Sequence, residues 1–319
     1  MKIVKATEDN IKISAEIIKN GGLVAFPTET VYGLGADAMN PVAAASIFEA
    51  KKRPFFDPLI VHIAELSEVE RVARNVEPKS LKLMERFWPG PLTIVLEKKD
   101  IVPDIVTSGF ATVAVRMPVH PAARELIRVA GTPIAAPSAN RFGCLSPTTA
   151  EHVYDQLGDA VDIILDGGPC SIGIESTIIK LLNNRIYLLR PGGTAPEEIE
   201  EFTGETLLTE HPKDKPEVPG QLPYHYSPEK QVILLDKITH IEDRCGYLFF
   251  RKPDISFPVE FSGILSEKGD LREAAANLFS NLHRLDTLDI DRIYAERVDG
   301  SGLGIAIMDR LKKASMKYL

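Results

Sequence analysis

The chain is poor in cysteine and has no long apolar run. Its three cysteines, Cys144, Cys170 and Cys245, are odd in number and widely spaced, and no C-x-x-C pair occurs. Neither a disulfide framework nor a structural zinc site is therefore indicated. No stretch approaches 18 uninterrupted apolar residues, and the N-terminus lacks the apolar core of a signal peptide. We expect no membrane span and no secretion, and we predict a cytoplasmic location.

The motifs of several common enzyme classes are missing as well. The sequence contains no G-x-x-x-x-G-K-[ST], no G-x-S-x-G and no H-E-x-x-H, which argues against a P-loop, a hydrolase nucleophile elbow and a zinc protease. Gly33, Gly35 and Ala38 match the relaxed dinucleotide fingerprint in spacing, but the next helix is expected to begin only at Pro41. With no covalent nucleophile indicated, catalysis would depend on positioning and electrostatics.

The composition is that of a globular protein with an excess of acidic residues. The 319 residues are 44% hydrophobic and 26% charged, with a net charge of −8 at pH 7. We therefore expect no strong direct binding to nucleic acid, because Lys and Arg contacts to phosphate drive such affinity. A local basic cavity for a small anion is compatible with this total charge.

Strand-like and helix-like segments alternate along two parts of the chain, which is typical of an α/β fold. We predict a first domain over 1–208, a proline-rich linker over 209–230 and a smaller α/β domain over 231–319. Within them we expect, among other elements, a loop at 28–35, helices at 41–52, 67–74 and 121–130, a hairpin at 177–190 and a strand at 259–265.

Polar side chains recur where the predicted strands end. A cationic cluster, Lys51 to Arg53, closes a predicted helix, and it has two readings: a helix C-terminus that complements the helix dipole, or a clamp for a polyanion. Three other segments favour the clamp, because each places polar groups at a strand end: Arg116 in the first, Ser138 in the second, and Ser176 with Arg190 in the third. Ligands of open α/β sheets bind where strand ends converge, and hydroxyl and guanidinium groups suit carboxylate and phosphate.

Several longer motifs carry a resemblance to a known family. The segments "FPTETVYGLG", "KKRPFFDPLIVH", "FWPGPLT", "VAVRMP", "APSAN", "GGPCSIGIESTI" and "LLRPGG" occur in that order. They resemble the successive motifs of the YrdC-like threonylcarbamoyl-AMP synthases over nearly all of residues 10–205. The linker "YHYSP" and the segment "AERVDGSGLGIAIMDRLKKAS" resemble the extra parts of the longer, two-domain members.

The resemblance implies a fold and a reaction. The expected fold is α/β, with a twisted mixed sheet and flanking helices around a deep cavity, plus a smaller C-terminal Rossmann-like α/β domain. The implied enzyme is a nucleotidyltransferase that condenses L-threonine, bicarbonate and ATP to L-threonylcarbamoyladenylate and pyrophosphate. ATP is a substrate, Mg²⁺ is expected to accompany it, and no permanently bound metal is expected. A downstream transferase would then move the threonylcarbamoyl group to tRNA.

Site residues follow from the resemblance, position by position. The implied threonine site comprises Thr30, His62, Arg116, Ala136 and Ser176. The implied ATP site comprises Arg53, Asp57, Thr112, Ser138, Ser146, Arg190 and Tyr226. Lys51 and Arg53 would act catalytically on the phosphates, and His225 and Tyr226 would form a lid that excludes water. Many relatives carry Asn where this chain has Asp57. Two other readings stay open: an RNA-binding module, and a related carbamoyl-adenylate transferase.

Overall fold

Ten strands of the described residues form one mixed sheet. The computed structural model describes residues 2–209, 217–222 and 225–318. The strands run, in chain order, β1 Ile3–Lys5, β2 Val24–Phe26, β3 Gly33–Asp37, β4 Ile60–His62, β5 Leu92–Glu97, β6 Thr112–Arg116, β7 Ile134–Ala135, β8 Ile163–Asp166, β9 Thr177–Leu182 and β10 Arg185–Arg190. Their order across the sheet is β1-β8-β2-β3-β7-β4-β6-β5-β9-β10. Parallel and antiparallel pairs both occur, for example β4 with β6 and β5 with β6.

Helices connect these strands, and local sequence explains several of their ends. They are α1 Glu8–Lys19, α2 Pro41–Lys51, α3 Val69–Val72, α4 Pro78–Phe87, α5 Asp104–Thr107, α6 Pro121–Ala130, α7 Ala150–Leu157 and α8 Pro196–Thr203. The side chain of Asn40 caps α2 by accepting from the amides of Val42 and Ala43. Helix α6 begins with Pro121 and ends at Gly131, whose positive φ of 69° suits a glycine stop.

A second, smaller sheet lies in the C-terminal part of the chain. Its strands are β11 Gln231–Leu235, β12 Cys245–Phe249, β13 Ser262–Ile264 and β14 Arg292–Glu296, in the order β11-β14-β12-β13. Every pair in this sheet is parallel. Its helices are α9 Leu271–Asp286 and α10 Leu303–Ser315. The expected fold class, a large mixed sheet with helices plus a smaller α/β unit, is confirmed.

The two parts share buried apolar surface. Val31, Leu145 and Ile174 of the first part belong to the same buried cluster as Leu278 and Phe279 of α9. The predicted domain boundaries remain predictions, and residues 210–216 and 223–224 of the expected linker lie outside the described residues. The shared cluster places α9 and α10 against loops of the first part.

Three expected elements differ from the structure. Residues 33–37, read from the sequence as part of a glycine loop and its exit, form strand β3. A Cβ on Gly35 would lie 2.7 Å from Cε1 of Phe26 and 2.8 Å from Cγ2 of Ile134. Glycine is therefore required in this strand because side chains from both neighbouring strands cover it.

The other two differences are shorter elements than expected. In place of a helix over 67–74, a 3₁₀ turn leads into the one-turn helix α3. The helix ends at Val72 because Ala73 has an extended backbone and forms a β-bridge with Lys98, next to β5. In place of a strand over 259–265, a 3₁₀ turn precedes β13, and Ser262 Oγ holds that turn by donating to Pro258 O at 2.7 Å.

Candidate functional site

One edge of the large sheet gathers the ends of several strands around a cavity. Because β5 runs antiparallel to β6 and β9 antiparallel to β10, the end of β6, the start of β9 and the end of β10 lie together. Arg116 and Arg190 end β6 and β10, and Ser176 immediately precedes β9. Thr93 Oγ1, near the start of β5, lies 2.7 Å from Ser176 Oγ. The convergence of strand ends that the sequence predicted is therefore present.

Ten of the residues named from the sequence line this cavity. They are Thr30, Arg53, His62, Arg116, Ala136, Ser138, Ser176, Arg190, His225 and Tyr226. Four others do not line it: Lys51, Asp57, Thr112 and Ser146. The wall also contains Thr28 and Glu175, which the sequence analysis did not name as site residues.

Arg116 has an anionic partner within the protein. Its Nη2 donates to Glu29 Oε1 at 2.5 Å and its Nη1 donates to Thr30 Oγ1 at 2.8 Å, while Nε lies 3.3 Å from Gly90 O. Both side chains of the ion pair are 4% exposed, so the pair is almost fully shielded from water. The buried arginine thus presents a guanidinium that is already oriented, with donors left over for a ligand carboxylate.

Arg53 is paired in the same manner. Its Nη2 lies 2.9 Å from Asp57 Oδ2 and donates to Pro58 O at 2.8 Å, and its Nε donates to Asp57 O at 3.0 Å. Burial raises the pKa of Asp57, against the opposing effect of Arg53. The Asp57 carboxylate is therefore a counter-ion of Arg53 behind the wall.

Arg190 is the exception among the cavity arginines. Its Nε and Nη2 donate to Ser176 O at 3.1 and 2.8 Å, and Nη1 donates to Pro219 O at 3.2 Å. It is 4% exposed, yet among the described residues it forms no ion pair. Burial lowers the pKa of this guanidinium. A buried cation without a carboxylate partner is costly, and an anionic ligand would compensate it.

Lys51 is buried behind the wall. Its Nζ donates to the backbone oxygens of Ser138, at 2.5 Å, and of Asn140. Burial and the neighbouring Arg53 hold the pKa of Lys51 well below its usual value. In this conformation Lys51 orders the loop that carries Ser138, so a direct phosphate contact would require it to leave these carbonyls.

Thr112 and Ser146, the two remaining residues outside the wall, each donate a hydrogen bond to a glutamate. Thr112 Oγ1 donates to Glu217 Oε1 at 2.9 Å, and Ser146 Oγ donates to Glu175 Oε1. Glu29 and Glu175 were not predicted as site residues, yet they accept hydrogen bonds from buried residues in and behind the wall: Glu29 from Arg116, and Glu175 from Ser146. A signal for both was present, since each is a single acid within a motif of small or apolar residues, "PTET" and "GIEST".

The histidines of the site are neutral. His62 Nδ1 lies 3.2 Å from Ile60 O, which can only accept, so Nδ1 carries the proton. Burial, aided by Arg116, lowers the pKa of His62 to about 3. His225 Nδ1 accepts from the Tyr226 amide at 2.9 Å, and burial holds the pKa of His225 well below its usual value. Neither ring adds charge to the cavity at neutral pH.

These shifts predict that the protein loses stability in mild acid. In the unfolded chain His62 and His225 would titrate near pH 6.5, whereas the folded chain keeps both neutral. Below pH 6.5 the unfolded state therefore binds protons that the native state does not. Between pH 7 and 5.5 the two groups should lower the free energy of unfolding by about 2–3 kcal/mol in total.

Urea unfolding at the two pH values measures this difference. A His62→Asn variant should lose only the share of its own ring, about 1 kcal/mol between pH 7 and 5.5, because His120, His152 and His283 also have lowered pKa values and act in the same direction. His240→Gln, at a histidine with a 72% exposed side chain, is the matched control. Equal stability of the unmodified chain at both pH values would contradict the assignment of neutral buried rings.

The segment after the first domain closes the cavity. Pro219, Gly220, His225 and Tyr226 form one side of it, and the Ser227 amide donates to Gly143 O at 2.8 Å. About 40 Å³ remains free inside, room for a few water molecules. Ligand sites for molecules of adenylate size are several times larger. This segment must therefore shift before a ligand of that size enters.

No group of three or more His, Cys, Asp or Glu side chains suited to a metal ion occurs among the described residues. Within the same part of the chain, no helix combines the length and the apolar character that a membrane crossing demands.

The fold and the cavity together define a class of protein. A two-domain α/β chain with three buried arginines and several hydroxyls around one cavity is a binding protein for a small anionic ligand.

Comparisons with known proteins define the family. A family model described as telomere recombination matches residues 16–192, and one described as the C-terminal domain of threonylcarbamoyl-AMP synthase matches residues 194–316. A threonylcarbamoyl-AMP synthase of Pyrococcus abyssi is 44% identical, covering 97% of this chain and 94% of the relative, and one of Bacillus subtilis is 40% identical, covering 98% and 94%. The chain belongs to the threonylcarbamoyl-AMP synthase family.

A solved structure supports the same family assignment. The crystal structure of Pyrococcus abyssi Sua5 complexed with L-threonine superposes with a TM-score of 0.89 at 40% identity, covering 98% of this chain and 96% of that one. The resemblance inferred from the sequence motifs is confirmed, and it extends over both domains.

Proposed function

We propose that this chain is a nucleotidyltransferase that condenses L-threonine, bicarbonate and ATP to L-threonylcarbamoyladenylate and pyrophosphate. The observation that carries the proposal is Arg190, a buried cation without an ion-pair partner among the described residues, on the same cavity wall as Arg116 and Thr30. A site that must hold both a carboxylate and a polyphosphate requires two such groups. The product would serve threonylcarbamoyladenosine modification of tRNA in the cytoplasm through a downstream transferase.

The threonine end of the cavity would be the region around Arg116. Its remaining guanidinium donors would bind the amino-acid carboxylate, while Glu29 and Thr30 hold the group in place. The neutral ring of His62 offers an acceptor on its second nitrogen for a donor of the substrate. Ser176 and the backbone of Ala136 would complete this end.

The nucleotide end would be the region around Arg190 and Arg53. Ser138, Arg53 and Arg190 face the cavity, and Tyr226 covers it. In the proposed roles, Lys51 and Asp57 support Arg53 and the loop at Ser138, while Thr112 and Ser146 act through Glu217 and Glu175. We propose that Mg²⁺ arrives with the nucleotide, since it would share the phosphate charge with the arginines.

The chemistry requires little beyond this arrangement. An oxygen of the anionic threonine carbamate attacks the α-phosphorus of ATP, and the bond from that phosphorus to the bridging oxygen breaks as pyrophosphate leaves. Because the carbamate is already deprotonated, no general base is needed. Positioned cations stabilise the charge that develops on the leaving pyrophosphate. Closure of the cavity protects the mixed anhydride from water.

Two other functions predict different behaviour. An RNA-binding module would bind RNA and release no pyrophosphate, and the net charge of −8 disfavours it. A carbamoyl-adenylate transferase would require carbamoyl phosphate in place of threonine and bicarbonate. Pyrophosphate release, and the substrates that it requires, therefore separate the three functions.

The test is pyrophosphate release from ATP and bicarbonate with threonine, serine or valine. Threonine should exceed serine and valine by about tenfold or more in kcat/KM, because serine lacks the methyl group and valine lacks the hydroxyl group. Pyrophosphate release that is independent of the amino acid or of bicarbonate would contradict the proposal. Release only with carbamoyl phosphate would favour the transferase.

A further inference from the structure

The C-terminal helix α10 places one arginine against the wall of the first domain's cavity. The side chain of Arg310 is fully buried. Its Nε donates to Glu175 Oε2 at 2.9 Å, and its Nη1 donates to Pro191 O at 2.7 Å. Glu175 itself lines the cavity. A residue from the second domain thus fixes part of the proposed nucleotide site.

The Glu175 carboxylate depends on this contact. One oxygen accepts from Ser146 Oγ and the other from Arg310, and Arg310 is its ion-pair partner. Without Arg310, a buried carboxylate would remain beside the place proposed for the phosphates. Such a charge is unfavourable in itself and would repel an anionic ligand.

Arg310 also contacts the closing segment directly. Its guanidinium carbon lies 5.0 Å from the centre of the Tyr226 ring, in cation–π geometry. Phe279 of α9 packs on the same tyrosine, with ring centres 5.8 Å apart. The backbone of Tyr226 has a φ of 58°, a left-handed conformation that a bulky residue adopts only when its surroundings impose it.

A neighbouring residue of α10 holds the other half of the segment. Lys313 Nζ donates to Gly220 O at 2.6 Å and pairs with Asp309 at 2.8 Å. From the opposite side, Arg190 Nη1 donates to Pro219 O at 3.2 Å. Consecutive carbonyls of the segment are therefore bound by a cavity arginine and by the second domain.

We propose that Arg310 is a positioning residue. By neutralising Glu175 and holding Tyr226, it keeps the closing segment, defined by residues 217–222 and 225–227, over Arg190, and so couples the second domain to nucleotide binding. The kinetic part of this inference rests on the proposed function. Its structural part does not, because closure is measurable without any substrate.

Arg310→Met should raise the KM for ATP at least tenfold and speed hydrogen exchange at the Tyr226 and Ser227 amides at least tenfold. Threonine affinity, measured by calorimetry without ATP, should change less than twofold, because Arg116 and Thr30 are untouched. Arg310→Lys should recover part of both losses. Lys312→Met, at an exposed position of the same helix, should behave as the unmodified chain.

A double variant separates positioning from simple stability. Glu175→Gln with Arg310→Met removes the unpaired carboxylate, so the unfolding midpoint should recover and the ATP KM should recover in part, while the fast exchange remains because the contact to Tyr226 is still missing. Recovery of the exchange rate together with the midpoint would overturn the inference in favour of a purely structural role. Unchanged exchange in Arg310→Met would overturn it as well. Absence of pyrophosphate release in the unmodified chain would reject the proposed function, and the exchange result would still decide the role of Arg310.

Discussion

Replacing Arg116 with alanine is expected to raise the dissociation constant for threonine about 30-fold or more, with ATP affinity changed less than about threefold. The loss corresponds to 2–5 kcal/mol, the range for removing a charged, buried, bidentate contact. The asymmetry follows from the proposed roles, because Glu29 and Thr30 orient Arg116 for the amino-acid carboxylate, whereas Arg53 and Arg190 are proposed to bind the nucleotide. Calorimetric titration with each substrate measures both affinities.

The control for this variant concerns the fold. Arg116→Ala leaves Glu29 buried without its ion pair, which by itself destabilises the protein. Adding Glu29→Gln should restore the unfolding midpoint without restoring threonine affinity. Arg124→Ala, which removes a partly exposed arginine of α6, should leave both affinities unchanged. Equal damage to threonine and ATP binding in Arg116→Ala would reject Arg116 as the carboxylate ligand.

The sequence predicted those parts of the fold whose end signals are local. Helix α6 has proline at its first position and glycine after its last, and the structure gives it the expected bounds, Pro121–Ala130. The hairpin of β9 and β10 turns at Asn183 and Asn184, both with positive φ. In each case the deciding residues lie within the element or directly next to it.

Strand β3 could not be predicted in this way. Its two glycines suggest a turn, and only the Phe26 ring and Ile134 of the neighbouring strands make them suitable for a strand. The same limit applies to α3, which ends where Ala73 bridges to Lys98. Tertiary contacts overrode local preference at both places.

For the candidate site, the sequence predicted the cations better than their partners. The position of Arg116 in an apolar strand implied a buried anion, but only the fold identifies it as Glu29. The pairing of Glu175 with Arg310 joins residues 135 positions apart, which no local pattern indicates. Lys51 is a further example, since the carbonyls that accept from it come from a loop nearly 90 residues away in the sequence.

The carboxylates divide the cavity arginines into two kinds. Arg116 and Arg53 are each neutralised by an internal acid, Glu29 and Asp57. Arg190 has no such partner among the described residues, so its charge remains available for a ligand. The largest effect on nucleotide chemistry should therefore come from Arg190, although Arg53 lines the same cavity.

Replacing Arg190 with methionine should lower kcat/KM for ATP about 100- to 1000-fold, the cost of losing one positioned group that stabilises transition-state charge. Threonine affinity should fall by no more than about tenfold, through the lost contact to Ser176 Oγ. The unfolding midpoint should change little, because removing a buried cation that lacks an ion-pair partner opposes the loss of its hydrogen bonds to Ser176 and Pro219. Arg185→Met, at the exposed start of the same strand, is the matched control for pyrophosphate-release kinetics and thermal unfolding. A fall in the midpoint with kcat/KM near the original value would show that Arg190 stabilises the fold and does not bind phosphate.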